Sequence, residues 1–288
     1  MPYSTTKASF LSDDFLLQND YAKILYHQYA KDLPIIDYHN HLPPAEINAD
    51  RKFENISKIW LAGDHYKWRA MRTFGINEKF ITGDTSDEEK FKSWSKTLPY
   101  TLRNPLYHWS HLELKRYFGF DELLSESNAA EVYKHCNTIL EQDSYSTQGL
   151  LAQMKVEVVC STDDPIDSLD QHVSFHKKGK NLGMYPAFRP DKAYSIEKPT
   201  TYKSYLSSLS ASVGFEINSF DKLLEAMSNR IDYFHERGCR LSDHGLEQMY
   251  FFKANAFSID SIFADVLLGK EVSTDEVEFF KYTTLLAL

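Results

Sequence analysis

The chain has 288 residues, 42% hydrophobic and 14% aromatic, with 32 Lys and Arg against 41 Asp and Glu for a net charge of −9. That length suits one large α/β domain or two ordinary ones, and the acidic balance argues against nucleic acid or an acidic membrane as the main partner. Three scattered cysteines, Cys136, Cys160 and Cys239, with no CxxC, argue against a disulfide framework or thiolate zinc site, and the lack of any apolar run near 18 residues leaves a cytoplasmic protein as the expectation.

Residues 14–31, DFLLQNDYAKILYHQYAK, place apolar groups at helical spacing and predict an opening helix that leads into Pro34. Residues 35–38 are short, apolar and bounded by prolines, as expected of a buried strand. Further strands are expected at KVEVVCST, 155–162, and GMYPAFRP, 183–190, with a weaker fourth at CRLSDH, 239–244. Between them, DPIDSLDQHVSFHKKGK predicts a helix capped by Asp163 or Asp164, with Pro165 in its first turn and Gly179 after its end. In SFDKLLEAMSNRIDYFHERG, Phe220, Leu223, Leu224, Met227, Ile231 and Phe234 form one apolar stripe; Ser219 caps it and Gly238 ends it. A last helix starts at Ser273 or Thr274 and is still running at Leu288.

Strand and helix in alternation mean a parallel sheet with right-handed crossovers. Residues 42–155 break that rhythm with helical, aromatic segments and read as an insertion after the first strand. The expected organisation is a helical lead-in over 1–33, a (β/α) portion over 34–41 and 156–288, and the insertion over 42–155. Without the insertion the chain is shorter than the roughly 250 residues of a closed eight-stranded barrel. Four strands therefore predict either a small open sheet or about half a barrel.

The chemistry concentrates at PIIDYHNHLPP. Alternate residues of a strand face one side, so Asp37, His39 and His41 project together, with the histidine Cα atoms roughly 6.5–7 Å apart. Two imidazoles at the carboxyl end of a strand suit zinc or a similar divalent cation, and that end is where parallel α/β folds build their sites. The competing reading is a pair of histidines hydrogen-bonded to loop carbonyls. A catalytic zinc usually keeps three protein ligands; candidates for the third are Asp163, Asp164 and Asp243. In GDHYKWRAMR, His65, Lys67, Arg69 and Arg72 crowd one segment with Tyr66 and Trp68, read either as a solvated helix face or as a loop bringing Tyr66 or His65 to an anionic substrate. His108 and His111 stand at helical i, i+3 spacing, where packing or surface histidines are the commoner outcome. Arg189 ends the third strand and suits a bidentate grip on a carboxylate, or a salt bridge to Asp191. Asp243, beside His244, is placed to hold a hydroxyl, move a proton or cap the next segment.

FLSDDFLL, PIIDYHNHLPP, WLAGDHYKWRAMRTFG, NPLYHWSHLEL, STDDPIDSL, FRPDKA and SDHGL occur in that order, and as an ordered set they make the chain resemble the uronate (glucuronate) isomerases of the amidohydrolase superfamily over essentially its full length. The resemblance implies a distorted TIM-type (β/α)8 barrel, of which this chain holds about the first four strands. It also implies interconversion of D-glucuronate with D-fructuronate and of D-galacturonate with D-tagaturonate. By motif match, His39 and His41 become ligands of a divalent metal, with zinc the expected ion. Tyr66 lies at the reacting end of the sugar with His65 beside it, Arg189 holds the substrate carboxylate, and Asp243 contacts sugar hydroxyls. Family members continue past the equivalent of Leu288 into further motifs, so the resemblance predicts that this is the N-terminal part of a longer protein.

Two other readings stay open on the sequence. One is metal-dependent hydrolysis, since the same HxH serves amidohydrolases that activate water. The other is a catalytically incomplete half-barrel whose open sheet edges promote self-association or a homo-oligomer. In every case the expected ligand is a small molecule, with no nucleic acid and no membrane.

Overall fold

The computed structural model describes residues 10–253 and 256–288, which divide into two compact units. A helical unit comprises the residues up to Pro34 together with Asp50–Lys155, and an α/β unit comprises Ile35–Ala49 with Val156–Leu288.

Local capping chemistry fixes the helices of the helical unit. Asn19 caps Asp20–Leu25, which widens into a π-helical turn over Tyr26–Ala30; the helix expected from residue 14 therefore begins later, where Asn19 takes the Ala22 N–H. Ser86 and Glu89 form a reciprocal capping box on Asp87–Thr97, whose Phe91 and Trp94 are wholly buried. Asn104 and Pro105 open Pro105–Phe118, and Gly119 closes it in the left-handed conformation that glycine adopts without a Cβ penalty. Together with Ile56, Trp60, Met71 and Leu114, these aromatics make a core in which each fully buried large side chain contributes about 1.5–3 kcal/mol.

The α/β unit is built on three parallel strands, β1 (Ile35–Asp37), β2 (Val156–Asp163) and β3 (Gly183–Phe188), in the order β1–β2–β3. Asp37 aligns with Val159, and Asp163 with Phe188. The helix Phe220–Glu236 forms as its stripe predicts: Ser219 accepts the Lys222 N–H and Gly238 follows with φ +91°. It packs Leu223, Met227 and Phe234 into a core shared with Leu209, Val266 and Phe280. Thr274–Ala287 carries its own capping box from Ser273 and Glu276.

Three expectations change. The strand at 239–244 shrinks to a single parallel bridge between Phe188 and Ser242. The Leu241 carbonyl and the Asp243 N–H both bond to Phe188, and Pro190 then has no N–H with which to extend the ladder. Four strands thus become three among the described residues. β1 is exposed rather than buried, with Ile35 and Ile36 retaining 48% and 64% of their accessible surface, because its one mapped neighbour is β2 and only three residues pair. The helix after β2 begins at Asp170 instead of Asp163. Asp164 folds residues 164–167 into a turn by accepting the Ile166 N–H, and its own N–H bonds to Asp167. Buried Arg230 then holds that turn by donating to the Pro165 and Asp167 carbonyls.

Candidate active site

At the carboxyl end of β1 the rings of His39 and His41 lie 5.1 Å apart at 87°, both open to solvent. Thr162, near the end of β2, donates its hydroxyl to the Asn40 carbonyl and ties the HNH loop to the next strand. His39 Nδ1 stands 3.5 Å from the Asp243 carboxylate. The same Asp243 oxygen accepts from Arg189 Nη1 at 2.9 Å, so side chains that follow β1, β3 and the Ser242 bridge meet.

Arg189 is held from both sides. Its backbone N–H donates to the Asp163 carbonyl, and its Nε donates to Asp191 at 2.7 Å. Sequence reasoning offered Asp191 as an alternative to a substrate role; the fold pairs Arg189 with Asp191 and Asp243 together. Hydrogen bonding to Asp191 raises the guanidinium pKa further. Burial pushes the Asp191 carboxyl up, but hydrogen bonds from Tyr194 and Arg189 outweigh it and hold the group below its ordinary value.

The other candidates for a third metal ligand are engaged elsewhere. Asp163 is buried and accepts from Ser161 Oγ at 2.7 Å, and that hydroxyl also lies 2.7 Å from His172 Nε2. Burial pushes the Asp163 carboxyl up to about 6 and the His172 imidazole down to about 4. Asp164 accepts from Tyr205 and pairs with Lys192 at 3.2 Å. Neutral imidazole is the right donor for a divalent cation, and the Asp243 carboxylate beside Nδ1 of His39 resembles the partner that orients a metal-binding histidine. The set nevertheless falls short of a complete cage: among the described residues no three His, Cys, Asp or Glu side chains group to hold an ion.

His244 instead lines a cavity of about 390 Å³ with Phe188, Phe234, Cys239 and Leu285. His65 and Tyr66 open the helix His65–Phe74 of the helical unit, capped by Asp64. Their rings lie 4.3 Å apart, tilted at 33°, Tyr66 is 58% exposed, and Arg69 sits 5.7 Å over its face. Tyr66 also lines an apolar cleft of about 730 Å³ with Phe74, Tyr100, Leu102 and Trp109, all within that unit. His111 takes the bland reading: it is buried, with Nδ1 on the Tyr107 carbonyl at 2.6 Å and Nε2 accepting the Leu124 N–H.

Sequence reading missed the Ser161–His172 contact and the part played by Tyr194, which donates to Asp191. The i, i+2 spacing of Ser161 and Asp163 on β2 was the available signal for the first.

Residues 7–288 match the glucuronate isomerase family. The chain belongs to that family. It is 49% identical to a uronate isomerase of Bacteroides thetaiotaomicron over 278 residues, covering 96% of this chain and 59% of that protein. Against the uronate isomerase of Cellvibrio japonicus the figures are 48% identity, 95% and 58%. The crystal structure of a uronate isomerase from Thermotoga maritima superposes with a TM-score of 0.88 at 32% identity, covering 96% of this chain and 61% of that one. The chain thus spans about 60% of the length of the family members it matches, and its α/β fold is similar to theirs. No helix among the described residues is long and apolar enough to cross a membrane.

Proposed function

We propose that this chain carries part of the site of an aldose–ketose isomerase acting on hexuronates, D-glucuronate to D-fructuronate and D-galacturonate to D-tagaturonate, on a scaffold of the (β/α)8 kind. The observation that carries the reading is the chain of contacts from His39, after β1, through Asp243, after the Ser242 bridge, to Arg189, after β3. It sets a guanidinium, suited to the sugar carboxylate, close to a carboxylate and two imidazoles suited to the reacting end.

In the proposed reaction the C2 proton leaves, charge moves onto the C1 oxygen, which takes a proton to give the cis-enediol, and loss of the O2 hydroxyl proton with return of a proton at C1 gives the ketose. Arg189 binds the remote carboxylate and so fixes which carbons are presented. Asp243 holds a sugar hydroxyl and is the carboxylate placed to carry a proton; a positioned acid or base contributes roughly 10²- to 10⁴-fold. The GDHYKWR motif assigns Tyr66 to the sugar oxygen that gains charge, with His65 beside it, and this assignment rests on the motif alone. His39 and His41 would supply two of the ligands to a divalent cation, zinc first, which when bound would add positive charge at the reacting end of the sugar.

The test is to incubate the protein with D-glucuronate in deuterium oxide and follow it by proton NMR. Deuterium appearing at C2 of the aldose, with ketose signals growing in, is expected. Arg189→Met should cost about 2–3 kcal/mol of transition-state binding, roughly 30- to 150-fold in kcat/KM. Absence of both exchange and ketose removes the reading for this chain, and unchanged kinetics in the variant remove Arg189 from the site.

A further inference from the structure

A guanidinium that grips a substrate must keep one edge free, yet Arg189 stands beside a carboxylate that competes for it. Asp243 accepts from Nη1 at 2.9 Å, and nothing in that single contact stops the planar group from turning to give Asp243 a second hydrogen bond. The opposing restraint comes from Asp191. Its Oδ2 takes Nε at 2.7 Å, which leaves Nη2 and the second hydrogen of Nη1 uncommitted to either carboxylate.

Asp191 is itself fixed more tightly than a surface ion pair requires. Tyr194, three residues on and 3% exposed, donates its hydroxyl to Oδ1 at 2.5 Å. The Gly245 N–H reaches both oxygens at 3.1 Å from the segment that follows Asp243. A side chain at 245 could not be accommodated without movement, since a Cβ there would stand 2.6 Å from Arg189 Nη2 and 2.8 Å from Asp191 Oδ2. Backbone bonds fix the roots of the two competing groups: Arg189 N–H to the Asp163 carbonyl, and Asp243 N–H to the Phe188 carbonyl.

We infer that Asp191, locked by Tyr194 and Gly245, is a positioning residue that holds the Arg189 guanidinium against capture by Asp243 and keeps its remaining N–H groups directed to an anionic ligand. The inference rests on the function proposed above and adds to it a residue that touches no substrate. It predicts an effect opposite in sign to simple electrostatics. Removing a negative charge beside an anion site should tighten anion binding, whereas removing the group that orients the site's cation should weaken it.

Calorimetric titration of the protein with D-glucuronate and with its neutral amide, D-glucuronamide, separates the two. In Asp191→Asn, glucuronate binding is expected to weaken about 10-fold while the amide changes less than 2-fold. Tyr194→Phe, which leaves every charge in place, is expected to weaken glucuronate about 3-fold with the same selectivity, and it serves if the Asn variant fails to fold. Unchanged or tighter glucuronate binding in either variant overturns the inference, as does equal weakening of both sugars. Should the wild-type protein bind neither sugar, the proposed function fails, and the Arg189 Nε–H signal in a nitrogen-15 NMR spectrum, identified through Arg189→Lys, decides the positioning role. Slow solvent exchange in wild type that becomes fast in Asp191→Asn sustains it; equal exchange in both overturns it.

Discussion

In the helical unit, His111 gives one ring nitrogen to the Tyr107 carbonyl and accepts the Leu124 N–H on the other, so nothing of its chemistry is left to spend on a ligand. In the α/β unit, His39 and His41 are exposed and stand ring to ring, with His39 beside the Asp243 carboxylate. Both belong to short-spaced histidine pairs, His39 with His41 and His108 with His111. The difference lies in what the surrounding backbone needs. Around residue 111 the loop reaching Leu124 has a buried N–H that must find an acceptor, and the imidazole supplies it. At the end of β1 the chain leaves the sheet into solvent, and the imidazoles have no backbone debt to settle. Histidine spacing is therefore a weak signal until the local hydrogen-bond demand is known.

The largest test of that contrast uses a third histidine, His172, which is buried like His111 but left with an unpartnered Nδ1 among the described residues. Asp163 is pushed up from 3.8 to about 6, so its stabilising protonation is fully present below 3.8 and is lost as pH rises through about 6. His172 is pushed down from 6.5 to about 4, so its stability is present above 6.5 and is lost as pH falls through about 4. Each effect is worth about 3 kcal/mol, and over pH 4–6.5 they oppose one another. In wild type they nearly cancel. Asp163→Asn uncovers the histidine, and unfolding free energy from urea titration should fall about 3 kcal/mol further than in wild type between pH 6.5 and 4. His172→Gln should shift it by a similar amount in the opposite direction. Parallel pH curves for wild type and both variants would show that burial does not set these groups apart.

A middle-sized effect belongs to His111→Ala. Removing a buried ring that pairs two backbone groups leaves both unsatisfied and opens a void, at about 2–3 kcal/mol. His111→Asn, which retains a donor and an acceptor, should recover part of it in the same denaturation assay. A loss below 0.5 kcal/mol would return His111 to the pool of candidate ligands.

These contrasts also set how far the sequence could be read. β2 and β3 were legible because KVEVVCST and GMYPAF are β-rich runs bounded by turn residues, and the two pair with each other in parallel along the whole of β3. β1 was legible as a strand but not as an exposed one, since exposure depends on what lies along its second edge. The 239–244 segment failed for a local reason: Pro190 lacks the N–H that would extend the pairing beyond the bridge at Phe188. His39 and His41 come together although they follow β1 in a loop, so the strand period alone does not account for their meeting. The Arg189–Asp243 pair was beyond pattern because 54 residues separate its members. Arg189 with Asp191 was foreseen as a rival to the substrate role, and the fold shows that a guanidinium has donors enough for a partner and for a ligand.

The smallest effect is the most pointed. Surface substitutions away from buried networks usually change stability by less than about 0.5 kcal/mol, and the partly exposed contact of His39 with Asp243 is screened by water. His39→Ala and His41→Ala should therefore melt within about 2 °C of wild type in the presence of a chelator. Added Zn²⁺ should then divide them: a cation that binds the folded state raises its stability with concentration, so wild type should gain while both variants stay flat. If His39→Ala costs as much as His111→Ala before any metal is added, the exposed pair is structural and the contrast between the two units collapses. If wild type and variants respond alike to Zn²⁺, the imidazoles at the end of β1 are free but are not where the ion goes.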